Sequence, residues 1–335
     1  MVTYYIGAFP PAYGGVTVKN KNLYEALERA LTIRRIDMNR IKKGDIWEIL
    51  RFAWAMLTGK QYIIGLAGPN NRRAFTKLLY RFKRRAMKRS VMLVMGGMVD
   101  DVVEAGPAFV RMFDTYRKTY VELPGMQRKL EQAGVTNCAI YPNGRPRPNE
   151  MPAPALEEGT LKCVFFSIIQ PEKGVDLILE AASQLPQMEF HFYGEVKKDY
   201  KQEYMAEIGC RSNVCDHGVF SGSADAVYKE LSRYDVLLLP TRWKAEGLPG
   251  ILVEAKIAGV PAVVSDHNFN REIVRHGYDG IVLREATVEK LAAVLRDLDG
   301  DREKLLSLKK ASRMSAEGYY IDICAAAVIR ELKRG

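Results

Sequence analysis

Short apolar runs alternate with amphipathic segments along the whole chain. In the first half, apolar and branched residues predict strands at 3–9, 61–66, 91–95 and 138–141. In the second half, similar runs predict strands at 162–166, 189–193, 234–240 and 260–265. Apolar positions at helical spacing predict helices around 23–31, 175–184 and 224–231. This alternation is typical of α/β domains whose parallel sheets are buried on both faces.

A proline-rich stretch at 142–154 (PNGRPRPNEMPAP) separates the two alternating halves. Proline and glycine at this density are typical of a linker. We therefore predict two doubly wound, Rossmann-like domains, at 1–148 and 149–310. A helix is predicted in a third segment, 311–335, from an apolar face that consists of Ile321, Cys324, Ala325, Val328 and Leu332. Ligands of such domain pairs bind at the carboxyl ends of the strands, in the cleft between the domains.

The net charge of +10 is concentrated in one segment. Residues 72–89 contain nine Lys and Arg and no Asp or Glu, so the rest of the chain is close to neutral. Apolar residues recur at helical spacing within this segment and predict one amphipathic helix with a cationic face. An apolar stretch at 46–57 precedes it, is too short to span a membrane, and carries Trp47 and Trp54.

We predict that this region contacts an anionic membrane surface, because basic amphipathic helices and interfacial tryptophans suit lipid headgroups. The predicted contact residues are Trp47, Trp54, Arg81, Lys83, Arg84, Arg85 and Lys88. The alternative is an ordinary core helix with a solvated basic face, in which both tryptophans are buried. No nucleic acid is expected as a partner, since aromatic residues do not interleave with a basic groove.

The N-terminus and the cysteines of the chain are the basis for predicting its location in the cell. The N-terminus has no basic segment ahead of an apolar one, so no secretory signal is predicted. Five cysteines without a CxxC pair indicate reduced thiols. We expect a cytoplasmic protein, with a peripheral position on the inner face of the cell membrane if the basic helix contacts lipid.

The segment 246–255 (EGLPGILVEA) carries two carboxylates across a turn into a helix. A buried strand is predicted before it, and Pro249 is suited to the first helical position. The amides from Gly250 onward then lack intrahelical acceptors, and the helix dipole adds positive charge, so a phosphate can bind there. Glu254 lies one turn beyond Gly250 and can accept hydrogen bonds from sugar hydroxyls. The pattern therefore favours a nucleotide-sugar as the ligand.

This segment resembles the Glu-x7-Glu signature of retaining glycosyltransferases of family 4, which have the GT-B fold. The resemblance implies two Rossmann-like domains that face a cleft, with the C-terminal helix crossing back to the N-terminal domain. It also implies that Glu246 contacts the donor sugar and that Glu254 contacts the nucleotide ribose. The other implied donor-binding residues of the segment are Gly247, Leu248, Gly250 and Ile251. A surface helix that happens to carry two glutamates is the alternative.

A second segment, 166–176 (FSIIQPEKGVD), resembles the Gly-Arg-Leu-x-x-Glu-Lys-Gly loop of the same family. A lysine at the carboxyl end of a strand can stabilise the negative charge that develops on a departing diphosphate. Lys173 fits this role, and a solvated lysine at a helix start is the alternative. Ile168 stands where the family usually has Arg. Either Arg242 or Lys244, on a neighbouring loop, supplies the second cation, or the enzyme is slow or unusual in its donor.

In the first half, residues 10–17 resemble the glycine-rich loop of the family, where Gly14 and Gly15 let the backbone approach the diphosphate. A plain turn is the alternative. The N-terminal catalytic region of the family follows a central strand and often has His or Asp. Asp100 and Asp101 follow the strand predicted at 91–95, and no His is present there. Asp100 is the predicted acceptor-side group, although a helix N-cap explains either aspartate equally well.

These segments together predict a hexosyltransferase-type glycosyltransferase that moves a sugar from a nucleoside-diphosphate sugar to an acceptor hydroxyl with retention. The predicted catalytic residues are Glu246, Lys173 and Asp100. The resemblance implies that no protein nucleophile is needed, because the leaving phosphate takes the acceptor proton on the same face. We expect no cofactor or metal, since the donor is a substrate and no D-x-D motif ends a predicted strand.

The expected acceptor is a glycan or a lipid-linked sugar in bacterial cell-surface polysaccharide or glycolipid assembly. Two alternatives stay open. One is a sugar-nucleotide epimerase of the same fold, which needs no acceptor. The other is a non-catalytic, membrane-associated partner subunit, which Ile168 and the missing N-terminal His keep open.

Overall fold

The computed structural model describes residues 2–11, 14–156 and 159–334. The described chain folds into two compact units. Unit 1 comprises the residues up to Pro146, the segment Ala245–Pro249 and the residues from Tyr319 on, and unit 2 comprises Arg147–Lys244 and Gly250–Gly318. The sequence predicts boundaries at 148/149 and 310/311, whereas the units meet at 146/147 and 318/319. The sequence pattern does not predict that 245–249 belongs to unit 1.

Unit 1 is built on a parallel sheet of apolar, buried strands. In chain order, its elements before the linker are β1 (Thr3–Gly7), α1 (Gly15–Glu28), β2 (Ile33–Asp37), α2 (Met38–Lys42), α3 (Ile46–Thr58), β3 (Tyr62–Gly65), α4 (Pro69–Phe82), α5 (Arg84–Met87), β4 (Val91–Leu93), α6 (Asp100–Glu104), α7 (Pro107–Phe113), β5 (Lys118–Val121), α8 (Pro124–Gln132) and β6 (Cys138–Ile140). Across the described residues, the strand order is β2-β1-β3-β4-β5-β6, and every pair is parallel. Because helices cover both faces of such a sheet, every residue of β1, β3 and β4 is buried.

Unit 2 repeats this architecture. Its elements are β7 (Lys162–Phe166), α9 (Val175–Gln184), β8 (Glu189–Tyr193), α10 (Lys201–Gly209), β9 (Val214–Asp216), α11 (Ala224–Leu231), β10 (Val236–Leu239), α12 (Gly250–Ala258), β11 (Ala262–Ser265), α13 (Asn270–Ile273), β12 (Gly280–Leu283), α14 (Val288–Gly300) and α15 (Arg302–Met314). The described strands form a second parallel sheet in the order β12-β11-β10-β7-β8-β9. The predicted fold class, two doubly wound α/β domains, is therefore confirmed.

The last helix, α16 (Ile321–Lys333), belongs to the hydrophobic core of unit 1. Short backbone pairing leads into it, since Arg145 N donates to Tyr319 O (2.9 Å) and Ile321 N donates to Arg145 O (2.8 Å). The helix contributes four buried side chains to the core of β1, α1 and the central strands, namely Cys324, Ala325, Val328 and Leu332. The predicted return of the C-terminal helix to the N-terminal domain is confirmed.

The basic segment does not form the single helix that its periodicity predicts. Helix α4 ends at Phe82, the backbone turns at Lys83 (φ −137°, ψ 35°), and the short α5 follows. After the turn, Ala86 and Met87 are buried, whereas Phe82 is 72% exposed. The prediction of one continuous helix was wrong because the chain redirects at Lys83 to bury the apolar residues that follow.

The edge strand β2 is not predicted by the sequence pattern. Its apolar run is interrupted by Arg34 and Arg35, which are exposed at the edge of the sheet. An edge strand is flanked on one side only, and charged side chains there are common because they prevent pairing with another chain. Apolar continuity therefore identifies the central strands of this chain better than its edges.

Candidate functional site

In unit 2, the second glutamate of the motif follows the carboxyl end of a central strand. Strand β10 is buried throughout and lies between β11 and β7. Helix α12 begins at Gly250, so Pro249 immediately precedes the helix instead of occupying its first position. The first amides of a helix lack intrahelical acceptors and carry the positive end of its dipole. Gly250 and Ile251 therefore supply amides of the predicted phosphate-binding kind.

Glu254 is the one residue among 251–260 that is not buried. It lies one turn beyond Gly250, so its carboxylate is on the open side of α12. The buried side of the helix is held by Lys256, whose Nζ donates to Asp279 Oδ2 (2.7 Å) and Ser315 Oγ (2.9 Å). This position fits the predicted contact between Glu254 and the nucleotide ribose, which stays a prediction.

Lys173 ends a 3-10 turn that follows β7 and is only 9% exposed. The next residue, Gly174, has φ +81°, and a Cβ there would lie 2.4 Å from Pro240 O. The loops after β7 and β10 are also joined by a hydrogen bond from Arg242 N to Glu172 O (2.7 Å). Lys173 is therefore placed beside the carboxyl ends of two adjacent strands. Its burial contradicts the alternative of a solvated lysine, and its role toward a diphosphate stays a prediction.

The two cations proposed as substitutes at position 168 lie on the loop after β10. Ile168 is 54% exposed and lines a hollow of about 490 Å³ with Gln170 and Lys197 among its other walls. Arg242 Nη2 donates to Asp176 Oδ2 (2.8 Å) and to Pro171 O (2.9 Å). The guanidinium that Arg242 would offer to the donor is therefore already paired with Asp176.

In unit 1, the loop that carries Glu246 is held through its backbone. Leu248 N donates to Glu122 Oε2 (3.0 Å), and Asn143 Nδ2 donates to Leu248 O (3.1 Å). Lys19 Nζ in turn donates to Glu122 Oε1 (2.8 Å). The side chains of Lys19 and Glu122 are 2% and 4% exposed, so this ion pair is buried.

Burial lowers the pKa of the Lys19 ammonium from its ordinary value, and the Glu122 carboxylate opposes that shift. An ammonium without a carboxylate partner would be costly at this depth. The pair therefore keeps a charged acceptor next to the amide of Leu248, where the loop packs against the rest of unit 1.

Glycines on both sides of the contact allow this loop to pack closely against the rest of unit 1. A Cβ on Gly97 would lie 2.0 Å from Glu246 O, and one on Gly247 would lie 2.4 Å from Glu122 Oε2. Gly97 N also donates to Ala245 O (3.1 Å). Because a side chain at either glycine would displace the loop, the position of Glu246 depends on two glycines far apart in sequence. Glu246 itself is buried.

The sequence does not reveal this set of contacts. Lys19, Gly97, Glu122 and Asn143 carry no motif of their own. One signal in the sequence points to Glu122, which is a charged residue directly after the buried strand β5. Polar residues at the carboxyl ends of parallel strands often bind ligands or loops.

The predicted glycine-rich loop lies only partly in the described residues, since 12–13 fall outside them. Gly14 precedes α1, and its N–H donates to Thr17 Oγ1 (3.0 Å), while Thr17 Oγ1 donates back to Gly14 O (3.0 Å). A Cβ at Gly14 or Gly15 would meet nothing within 4 Å. These glycines are thus not required by packing, and their predicted contact with the diphosphate stays a prediction.

Asp100 and Asp101 form the first turn of α6, and Val99 occupies the N-cap position. The N-cap explanation for the aspartates is therefore wrong. Asp100 is exposed and accepts from Lys129 Nζ (3.0 Å), whereas Asp101 is buried and pairs with the buried Arg72. Of the two, only Asp100 is open to an acceptor, and its catalytic role stays a prediction.

The predicted membrane-contact residues lie on α3, at the end of α4 and on α5 with the residues at its two ends. Trp47 and Trp54 are 74% and 59% exposed, which contradicts the alternative in which they are buried. Lys83 Nζ donates to Leu57 O (2.6 Å), so the basic segment meets the apolar helix. The other cations of the prediction, Arg81, Arg84, Arg85 and Lys88, are all exposed. In the described ranges, no helix is both long and apolar enough to cross a membrane.

Metal-binding side chains do not converge in the described part of the chain. Within residues 2–11, 14–156 and 159–334, no three His, Cys, Asp or Glu side chains lie close enough to hold an ion.

Three comparisons connect these sites to known proteins. A family model described as glycosyl transferases group 1 matches residues 146–315, about half of the chain. A UDP-Gal:alpha-D-GlcNAc-diphosphoundecaprenol alpha-1,3-galactosyltransferase of Escherichia coli is 25% identical over 203 residues, which cover 55% of this chain and 50% of that enzyme. A GDP-mannose-dependent alpha-(1-6)-phosphatidylinositol monomannoside mannosyltransferase of Mycobacterium tuberculosis is 26% identical over 190 residues, 53% of this chain and 48% of that enzyme. The chain spans about half the length of these curated relatives.

Among solved structures, Anabaena HepE in complex with UDP resembles the chain over 100% of both proteins, with a TM-score of 0.72 and 14% identity. At this identity the likeness establishes the fold alone. It extends over both units and agrees with the GT-B fold that the motif resemblance implies.

Proposed function

The chain belongs to the glycosyl transferases group 1 family, and we propose that it transfers a sugar from a nucleoside-diphosphate sugar to an acceptor hydroxyl. The observation that carries this proposal is the placement of Lys173. It is buried beside the carboxyl ends of β7 and β10, in the same unit as the start of α12. A buried cation there suits a diphosphate, whose charge grows as the bond to the sugar breaks.

The remaining roles follow from where each residue lies. The first amides of α12 hold the diphosphate, and Glu254 accepts hydrogen bonds from the ribose. Glu246 contacts hydroxyls of the donor sugar, Asp100 faces the acceptor, and the Gly14-Gly15 backbone approaches the diphosphate. The Glu-x7-Glu spacing supports a retaining reaction in which the leaving phosphate takes the acceptor proton. No cofactor or metal is part of this proposal, because Lys173 supplies the charge.

We infer that the acceptor is lipid-linked and that the pathway is polysaccharide or glycolipid assembly. The names of the Escherichia coli and Mycobacterium tuberculosis relatives give a sugar diphosphoundecaprenol and a phosphatidylinositol mannoside as acceptors. An acceptor that resides in a bilayer requires an enzyme that reaches the bilayer surface. The exposed apolar face of α3 supports such a position.

Calorimetric titration with UDP, GDP, ADP and CMP, without added metal, tests the donor site. We expect one diphosphate to bind tightly. Glu254→Ala should weaken it about tenfold to a hundredfold, since a charge-assisted hydrogen bond contributes roughly 1.5–3 kcal/mol. Lys173→Met should lower turnover, and Lys201→Met, an exposed lysine on α10, is the matched control. Absence of binding to all four nucleotides would favour a non-catalytic partner subunit.

Product analysis separates transfer from epimerisation. Incubation of the bound nucleotide-sugar with and without an acceptor should give a new glycoside only when the acceptor is present. Conversion of the donor to an epimer in the absence of acceptor would overturn the transferase proposal and favour an epimerase.

We further propose that the protein is peripheral on the anionic, inner face of the cell membrane. Charge removal at the five exposed or half-exposed cations around α5 should abolish sedimentation with phosphatidylglycerol vesicles. These cations are Arg81, Lys83, Arg84, Arg85 and Lys88. A control with the same loss of charge removes five exposed cations of unit 2, namely Lys201, Lys229, Lys290, Arg296 and Lys310. Equal sedimentation of the wild type with phosphatidylcholine vesicles would contradict the proposal.

A further inference from the structure

Helix α3 buries few of its residues and exposes most of its large apolar side chains. Among its residues, only Glu48 and Ala55 are buried. Glu48 Oε1 accepts from Asp37 N (2.8 Å), and Tyr62 Oη donates to Ala55 O (2.9 Å). The exposed large apolar side chains of the helix are Ile46, Trp47, Ile49, Leu50, Trp54 and Leu57. An exposed apolar face that does not pack against the core is typical of a surface that binds another molecule.

A hollow of about 720 Å³ lies between this helix and the edge strand β2. Trp47, Leu50 and Trp54 form its helix wall, and Ile33 and Ile36 lie on the strand side. Tyr4 and Tyr24 also line it, together with three arginines, namely Arg34, Arg35 and Arg51. The hollow therefore combines apolar walls with concentrated positive charge, and its volume is that of a small-molecule site.

A second hollow, of about 480 Å³, shares Tyr24 and Arg35 with the first. It extends to Phe9 and Pro10, just beyond the carboxyl end of β1. The Arg35 guanidinium lies 5.8 Å from the centre of the Phe9 ring. The two hollows are adjacent at Tyr24 and Arg35, and we call them together the trough; its lining extends from α3 to Pro10, at the start of the glycine-rich loop.

Not all of the charge in the trough is positive. Glu25 and Glu28 line the second hollow together with Lys21. In the first hollow, Arg51 Nη1 lies 3.2 Å from Glu48 Oε2. Among the described residues, no carboxylate lines the first hollow, where Arg34 and Arg35 therefore supply the excess positive charge.

We propose that this trough binds the phosphate and the apolar chain of a lipid-linked acceptor. The chain lies against Trp47, Leu50 and Trp54, and the phosphate is bound by Arg34 and Arg35. Arginine suits this role because its planar guanidinium donates two parallel hydrogen bonds to phosphate oxygens. The inference rests on the proposed transferase function. A single lipid chain fits along the apolar lining of the first hollow, whose volume is about 720 Å³, and the cations around α5 lie outside this lining.

The chain has three tryptophans, and two of them line the trough. Trp243→Phe therefore makes the trough the source of tryptophan emission. Farnesyl phosphate, kept below its micelle concentration, is titrated against this variant, with farnesol as the uncharged match. We expect a saturable blue shift with the phosphate and at least tenfold weaker binding of the alcohol.

Combining Arg34→Gln with Arg35→Gln should lower the affinity for farnesyl phosphate at least tenfold. Arg29→Gln, an exposed arginine of the same unit that lines neither hollow, should leave the affinity unchanged. Equal affinity for the phosphate and the alcohol would overturn the inference, as would an equal effect of both sets of substitutions.

Two further arms separate this inference from its alternatives. A blue shift with phosphatidylglycerol vesicles but not with monomeric farnesyl phosphate would identify a bilayer as the occupant and reject the single-chain site. Calorimetric nucleotide titration of the wild-type protein tests the donor site independently. Nucleotide binding without farnesyl phosphate binding rejects the trough and leaves the transferase proposal standing. The reverse result leaves a lipid-phosphate site and rejects the transferase.

Discussion

The buried pair of Lys19 and Glu122 should govern both the stability of unit 1 and the position of the loop that carries Glu246. Glu122→Ala removes the carboxylate from a lysine that is 2% exposed. Removal of one partner from a buried ion pair costs about 3–5 kcal/mol, because the remaining charge is left uncompensated. The same substitution leaves the buried amide of Leu248 without its acceptor. We therefore expect a large loss of unfolding free energy in this variant.

Two double variants separate charge from loop position. Lys19→Met with Glu122→Gln removes both charges and keeps an amide oxygen for Leu248 N, so this variant should recover the cost of the uncompensated charge, except for about 1–3 kcal/mol because the Gln Nε2 then faces the introduced methionine. Lys19→Met with Glu122→Leu also removes both charges but leaves that N–H unpaired, at a cost of about 1–3 kcal/mol. Turnover should be retained in the first double variant and should fall at least tenfold in the second, because the loop is then free to move.

Urea unfolding and steady-state transfer kinetics measure these effects on the same preparations. A positioning role predicts that kcat falls in the Leu double variant while nucleotide affinity in unit 2 is unchanged. Full turnover in that variant would refute the positioning role. A Glu122→Ala protein as stable as the wild type would refute the buried ion pair itself.

Three further outcomes follow from other contacts. Gly97→Ala places a Cβ 2.0 Å from Glu246 O and should lower kcat at least tenfold, whereas Gly209→Ala, whose Cβ meets nothing within 4 Å, should not, as transfer kinetics would show. Leu332→Ala removes a buried side chain of α16 and should cost about 2–5 kcal/mol in urea unfolding. Burial raises the pKa of Tyr62 and of Tyr200 to about 12, so their stabilising effect is present below pH 10 and is lost as the pH rises toward 12. Unfolding free energy measured from pH 8 to 12 should decrease above pH 10, and a flat profile would contradict the burial of these phenols.

The elements that the sequence predicts are those whose pattern is set by local burial. Strand β10 is predictable because each of its residues is buried, and α16 because its apolar residues recur at helical spacing. The edge strand β2 is not predictable in this way, since Arg34 and Arg35 face solvent. The turn at Lys83 also escapes prediction, because no proline or glycine marks it.

The residues of the candidate site also differ in whether a local sequence pattern predicts them. Lys173 and Glu254 are found from motif spacing, because each is fixed by the local geometry of one turn or helix. The contacts of Gly97, Glu122 and Asn143 with the loop at 245–249 involve residues more than a hundred positions apart. Such contacts exist only after the sheet of unit 1 has formed, so no local sequence pattern predicts them.

The two glutamates of the motif are consequently held by different means, although they are eight residues apart. Glu254 takes its position from α12, which the Lys256–Asp279 pair fixes within unit 2. Glu246 takes its position from unit 1, through the backbone contacts that Gly97 and Glu122 make with its loop. If Glu254 binds the ribose and Glu246 the sugar, changes in unit 1 alter turnover without altering affinity for the free nucleotide. Changes at Lys256 alter nucleotide affinity first, because they disturb the helix that binds it.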